Sequence, residues 1–267
     1  LRNYLASHDP AGIAGVILTQ NETSTGVTLD LATLGPVVKE FGLLLVVDAV
    51  SAFGGIPMQM DAWGVDVVVT ASQKALMCPP GLGLVAISKA AWPAVEKARL
   101  PRYYWDYRAA RKFGERGETP YTPAVSLWFA LQAGLERIAA TGLEATYASH
   151  RRRAAMVRAG LRSLGLELLV VEESIASPTV TAVRVPAGVD GSRVLARLRD
   201  DKKVVAAGGQ GQLKGKIWRF AHMGAIDETA LLTALNALED VLREEGFTAA
   251  PAGVAVKAAQ EAATTND

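Results

Sequence analysis

Short apolar runs alternate with amphipathic stretches over the first 90 residues, and no other feature of the chain restricts its fold as strongly. Residues 13–19 (IAGVILT) are short, apolar and β-branched, as a strand buried on both faces must be. Residues 43–48 (LLLVVD), 65–70 (VDVVVT) and 83–88 (GLVAIS) repeat that pattern. Between the first two runs, residues 30–41 predict a helix, with Asp30 placed as its N-cap and Gly42 where it must stop. Strands alternating with helices predict an α/β fold with a mostly parallel sheet. Such sheets bind ligands beyond the carboxyl ends of their strands. Asp48 stands at one of those ends, and Gln73 and Lys74 closely follow another.

Further along, the pattern changes. Residues 102–123 mix aromatic and charged side chains without a clean period, which predicts an irregular, partly exposed segment. Helical patterns follow at residues 124–140 and 143–164, joined at Thr141-Gly142. Residues 166–171, 179–185, 204–206 and 217–221 read as strands, and residues 192–202 and 227–245 as helices, with Asp227 as an N-cap. This predicts a large-domain portion over residues 1–142, then a linking helix and a smaller C-terminal α+β domain over residues 143–249. The Ala-rich tail, residues 250–267, is expected to fray.

Composition removes several function classes. With 28 basic and 27 acidic residues, the chain has no broad charge for nucleic acid or an anionic membrane. The one basic run, His150-Arg151-Arg152-Arg153, falls in a predicted helix and reads as a solvated face. A single cysteine, Cys78, rules out an intrachain disulfide or a cysteine zinc cluster. The histidines His8, His150 and His222 lack metal-ligand spacing, so no metal is expected. No apolar stretch approaches the ~20 residues of a membrane span, and no basic–apolar leader is seen, so a cytoplasmic location is the default expectation. The chain starts at Leu1, with a strand pattern soon after, as if in mid-fold.

The informative stretch is DAVSAFGGIPMQMDAWGVDVVVTASQKALMCPPG, from Asp48 to Gly81. It sets an acid at the end of one buried strand and a lysine, amid apolar residues, just after another. Pyridoxal phosphate (PLP) chemistry asks for this pair. A buried lysine amine, held neutral, must join the cofactor aldehyde, and a carboxylate must keep the pyridine nitrogen protonated. Taken singly, Asp48 would be a turn cap and Lys74 a surface lysine; their joint placement in one βαβ-like frame argues otherwise.

Four segments carry a resemblance: Glu22-Thr23-Ser24-Thr25-Gly26-Val27; Val47-Asp48-Ala49-Val50-Ser51-Ala52-Phe53-Gly54-Gly55; Ser72-Gln73-Lys74-Ala75-Leu76 with Pro79-Pro80-Gly81; and Gly208-Gly209-Gln210-Gly211 with Lys214-Gly215-Lys216 and Trp218-Arg219. Together they resemble the class V, PLP fold type I aminotransferases, in the serine–glyoxylate and alanine–glyoxylate branch. The resemblance implies transfer of an amino group from a small amino acid (serine or alanine) to a 2-oxo acid (glyoxylate or pyruvate). It implies that Lys74 forms the Schiff base and moves the proton, Asp48 pairs with the pyridine nitrogen, and Thr23 sits near the ring hydroxyl. It further implies Val50 against one ring face, Gln73 at the phosphate, and Arg219 clasping the substrate carboxylate with its planar fork. Thr122, and at a second such position Thr119, would reach the phosphate of a partner subunit, implying a homodimer.

Other readings fare worse. A phosphate loop ending at Gly215-Lys216 needs Gly at 210, which is Gln, and Ser or Thr at 217, which is Ile. No G-x-G-x-x-G follows the early strands, against a nicotinamide dehydrogenase. A desulfurase-like lyase on the same fold usually has His before its lysine, where this chain has Gln73, and Cys78 reads as a packing residue. An inactive truncated relative is the remaining alternative. Relatives carry about a hundred further N-terminal residues, including the glycine turn that grips phosphate at a helix start. Exposed apolar surface is then expected where those residues would pack.

Overall fold

The computed structural model describes residues 1–9 and 12–265. Helix α1 (Arg2–Ala6) precedes strand β1 (Gly15–Thr19), which leads into a short ladder of β2 (Asn21–Glu22) against β3 (Val27–Thr28). Helix α2 (Leu31–Glu40) starts where Asp30 accepts a hydrogen bond from the Thr33 N–H, and ends before Gly42 at φ +68°. Strands β4 (Leu44–Asp48), β5 (Val67–Ala71) and β6 (Gly83–Ile87) follow. The sheet order is β1-β4-β5-β6, with the first three strands parallel and β6 antiparallel, in line with the mostly parallel sheet expected. Leu45, Val47 and Val68 are buried in a core closed by Leu31 and Val38 of α2. Asp66 is buried at the sheet margin, where it accepts from Leu45 N (2.8 Å) and Ser88 Oγ (3.1 Å) and pairs with Lys39.

The segment predicted to be irregular contains helix α4 (Tyr107–Gly114), after α3 (Trp92–Lys97). The signal is its cap: the Asp106 carboxylate accepts from the Arg108 N–H at 3.0 Å. Helices α5 (Val125–Thr141) and α6 (Leu143–Ser163) break at Gly142, whose φ of +84° suits glycine. Gly134 lets α5 lie against the lysine-bearing turn: a Cβ there would sit 2.2 Å from the Leu76 carbonyl oxygen. Gly134→Ala should therefore destabilise the protein by about 1–3 kcal/mol, visible as a lower melting temperature; an unchanged melt would contradict this packing.

The second sheet is antiparallel, in the order β7 (Val180–Arg184), β9 (Ile217–Ala221), β8 (Ala207–Gly208). Helices α7 (Gly191–Asp200) and α8 (Glu228–Glu244) cover it, sharing a core with Trp218. The Trp218 indole N–H donates to Gly191 O at 2.9 Å, so its polar atom is satisfied in burial. Two strand expectations need correction. Residues 166–171 contribute only an isolated bridge, Leu168 to Val183, and the short strand falls at 207–208, not 204–206. The first run is held by main-chain bonds to β7 at Leu169 and Glu167 without a continuous ladder.

Over its described residues, 250–265, the tail does not fray as expected; residues 266–267 of that expectation lie outside the described residues. Residues Val254–Thr265 form helix α9. Its fully buried Ala255 and Ala259 and nearly buried Ala263 recur every fourth residue and belong to the core that α6 and α8 share. Gly160 of α6 permits the approach, since a Cβ there would lie 3.1 Å from Ala255 O. Exposed apolar surface, as expected, is present: Ile17 on edge strand β1 is 77% exposed, and Trp105, Trp128 and Phe129 are also open.

Candidate active site

Parallel strands β1, β4 and β5 end side by side. Thr19 stands opposite Asp48, and Asp48 opposite Val69. The segments leaving these three ends form one wall of a cleft of about 680 Å³, and the three-stranded sheet forms the other. Thr23, Asp48, Val50, Gln73, Lys74 and Arg219 all line it, so six of the eight residues singled out by resemblance converge.

The lysine sits on a tight turn. Buried Ser72 donates from Oγ to Pro79 O (2.7 Å) and accepts from the Cys78 N–H through its carbonyl (3.1 Å), closing the loop around Lys74. Met77 N–H donates to Lys74 O at 3.0 Å, and Met77 itself takes φ +62°. A left-handed methionine is costly, and such strain clusters at functional sites. Asp48 is half-buried, and its Oδ1 accepts from the Val50 N–H at 2.9 Å. Lys74 and Asp48 share the cleft without an ion pair between them, and the Asp48 Oδ2 has no hydrogen-bond partner among the described residues.

Arg219 projects from β9 toward the end of β1. Its Nε–H donates to Gly208 O (2.9 Å) and its Nη1–H to Thr23 O (3.2 Å), which fixes the guanidinium plane with Nη2 unused among the described residues. Nearby Glu22 is held below the usual carboxylate range, first by hydrogen bonds from Ser24 and in smaller part by the Arg219 charge.

Thr119 and Thr122 lie elsewhere. They line a separate, wider cleft of about 1250 Å³ with Tyr121, Trp128 and Phe129, and Thr119 Oγ1 donates to Tyr121 O at 2.7 Å. Within one chain they do not join the Lys74 cleft. Cys78 is buried outside the cleft, with its thiol 3.6 Å from Leu127 O, as a packing residue.

Residue-type reasoning missed a buried polar group that joins the two sheets. Asn21 donates to Ser51 Oγ (2.8 Å) and Thr179 Oγ1 (3.1 Å), and Thr179 Oγ1 donates to Ser51 O (3.0 Å). The basic run also needs correcting as a solvated face. His150 is 1% and Arg153 5% exposed, because positions three apart share the inward face of α6. Arg153 donates from Nη1 to Gly224 O (2.8 Å) and Ile226 O (2.6 Å).

An α/β scaffold with a lysine and an acid at its parallel strand ends, and an arginine facing them from the second sheet, has the fold of the PLP-dependent aminotransferases. Residues 11–216 match the family model for class-V aminotransferases, and the chain belongs to that family. Among curated relatives, it is 41% identical over 98% of its length to a soluble hydrogenase small subunit from Synechococcus sp., covering 68% of that protein. It is 40% identical over 92% of its length to an L-aspartate–glyoxylate aminotransferase from Paracoccus denitrificans, covering 62% of it. Its whole length superposes on 68% of a pyridoxamine–pyruvate aminotransferase from Mesorhizobium loti, with a TM-score of 0.91 and 31% identity. The chain thus spans between 62% and 68% of the length of these relatives. No helix among the described residues is long and apolar enough to cross a membrane.

Proposed function

We propose that this cleft transfers an amino group from a small amino acid, such as serine or alanine, to a 2-oxo acid, such as glyoxylate or pyruvate, with PLP as cofactor. One observation carries the reading: an acid and a lysine from neighbouring strand ends face one cleft with no ion-pair partner among the described residues, and an arginine fork lies opposite. A planar ring between them, acid at its nitrogen and amine at its aldehyde, fits this donor set.

When bound, PLP supplies an electron sink for the substrate's α-carbon. Lys74 anchors it and moves the proton at that carbon. Asp48 holds the proton on the ring nitrogen, and its anchored Oδ1 keeps Oδ2 directed. Of the other residues lining the cleft, Val50 would hold a ring face, Thr23 the ring hydroxyl and Gln73 the phosphate. Arg219, pinned at two of its nitrogens, receives the α-carboxylate and orients the scissile bond. Thr119 and Thr122 serve a second copy's phosphate in a homodimer. The open aromatic patch around Tyr103, Tyr104 and Trp128 supports that partner face. The reading includes a large-domain portion over residues 1–142, a smaller one over 143–249, and a cytoplasmic location.

The deciding experiment is borohydride reduction in the presence of PLP, followed by peptide mapping. The expected result is a pyridoxyl label on Lys74 and nowhere else. A label on another lysine, or none on folded protein, overturns the assignment.

A further inference from the structure

We infer that His150, outside the cleft, is a positioning residue that sets the distance between the lysine turn and the strand carrying Arg219. The inference rests on the function proposed above. His150 Nδ1 lies 2.8 Å from Thr146 O, and its Nε2 lies 3.0 Å from Gly224 N. A carbonyl only accepts and a main-chain N–H only donates, so Nδ1 carries the proton and Nε2 accepts. The ring therefore works as a neutral bridge from α6 to the loop after β9.

That loop rests on the back of the lysine turn. Gly224 adopts φ +71°, and a Cβ there would come within 3.2 Å of Met77 Cγ and 3.6 Å of Lys74 O. Met223, one residue earlier, lines the cleft. On its other side the imidazole meets the turn that follows Asp48, where a Cβ on Gly55 would lie 3.1 Å from His150 Cδ2. Gly54 in turn packs on the lysine turn, its Cβ position 3.2 Å from Leu76 Cδ2. One side chain thus touches the loop after Arg219 and the turn after Asp48, and both of these abut the lysine turn. Burial pushes the His150 pKa down to about 4, so the accepting lone pair persists at neutral pH.

Two substitutions separate the ring's two bonds. His150→Asn retains a donor near Thr146 O but lacks reach to Gly224, whereas His150→Gln reaches Gly224 with its amide oxygen. In His150→Asn, amide exchange at Gly224 should quicken about tenfold or more, and the dissociation constant of propionate for PLP-loaded protein should rise about tenfold. Borohydride labelling of Lys74 should match wild type, and His150→Gln should restore both quantities to within about threefold of wild type. Equal Gly224 exchange in the two variants, or unchanged propionate affinity in His150→Asn, overturns the inference. Should His150→Asn fail to fold, nitrogen-detected NMR of the wild-type ring decides instead: a proton on Nδ1 upholds the bridge, and one on Nε2 overturns it. Failure of wild-type Lys74 to take the label would sink the proposed function, while Gly224 exchange would still decide the bridge.

Discussion

Asp48→Asn is expected to lower the turnover number for transamination by about two to three orders of magnitude, the range seen when one preorganised electrostatic partner is removed. The substitution changes charge and almost nothing else. An asparagine oxygen can still accept from the Val50 N–H, so the bond that now shapes the strand end at 2.9 Å survives. Among the described residues Asp48 takes part in no ion pair, so its loss leaves none of their cations stranded. What disappears is the negative oxygen that would hold a proton on the ring nitrogen. Steady-state kinetics on PLP-loaded protein, with circular dichroism as a folding control, measure the effect. Labelling of Lys74 by borohydride should persist, because attachment of the cofactor needs the amine and not the acid. Activity within about threefold of wild type would mean that Asp48 is only a turn cap.

The second large effect concerns pH and stability. Burial is the main cause that pushes His150 down to about 4 and His222 to about 3. Arg153 beside His150 lowers it further against an opposing pull from Thr146 O, and Arg158, Arg153 and His150 do the same to His222 against Pro178. Arg137 and Asp227 line the cavity next to His150 and complete its charged surroundings. Both folded values lie below the ordinary 6.5. Well above pH 6.5 the rings are neutral whether the chain is folded or not, and they add no pH dependence. As pH falls from 6.5, the unfolded chain takes up protons that the folded protein refuses, so stability drops. Between pH 6.5 and 4.5 the two rings together should remove roughly 4 kcal/mol. Urea unfolding at pH 7, 6 and 5 reads this slope, and His222→Gln should remove about half of the histidine share. An identical slope in the variant would exclude His222 as a source.

Much of this was legible in the residues. Apolar β-branched runs marked β1, β4, β5 and β6 to within two residues, because such side chains suit a pleated strand; the burial on both faces expected of them fails at β1 and β6, where Ile17 and Val85 are exposed. Asp30 and Asp227 announced their helices through short polar caps that accept from Thr33 and Ala230. The convergence of Thr23, Asp48, Gln73, Lys74 and Arg219 followed from strand order together with motif resemblance. Other parts were hidden for physical reasons. His150 and Arg153 look like surface charges until the partner carbonyls and N–H groups, some 70 residues away, are known. Asn21, Ser51 and Thr179 are common turn residues, and only tertiary structure makes them a buried set. Residues 250–267 lack large apolar side chains and so resembled a loose end. The clue was the spacing of Ala255, Ala259 and Ala263, one face of a helix.

Those three alanines have a mechanical consequence. Small side chains packed at so close an approach gain their attraction from closeness, not bulk, and a gap of about 0.5–1 Å already forfeits a quarter to a half of it. A single enlarged side chain at Ala255 or Ala259 would act as a wedge along the entire seam, so α9 is kept as a rigid splint or shed as a unit, with little room for gradual drift.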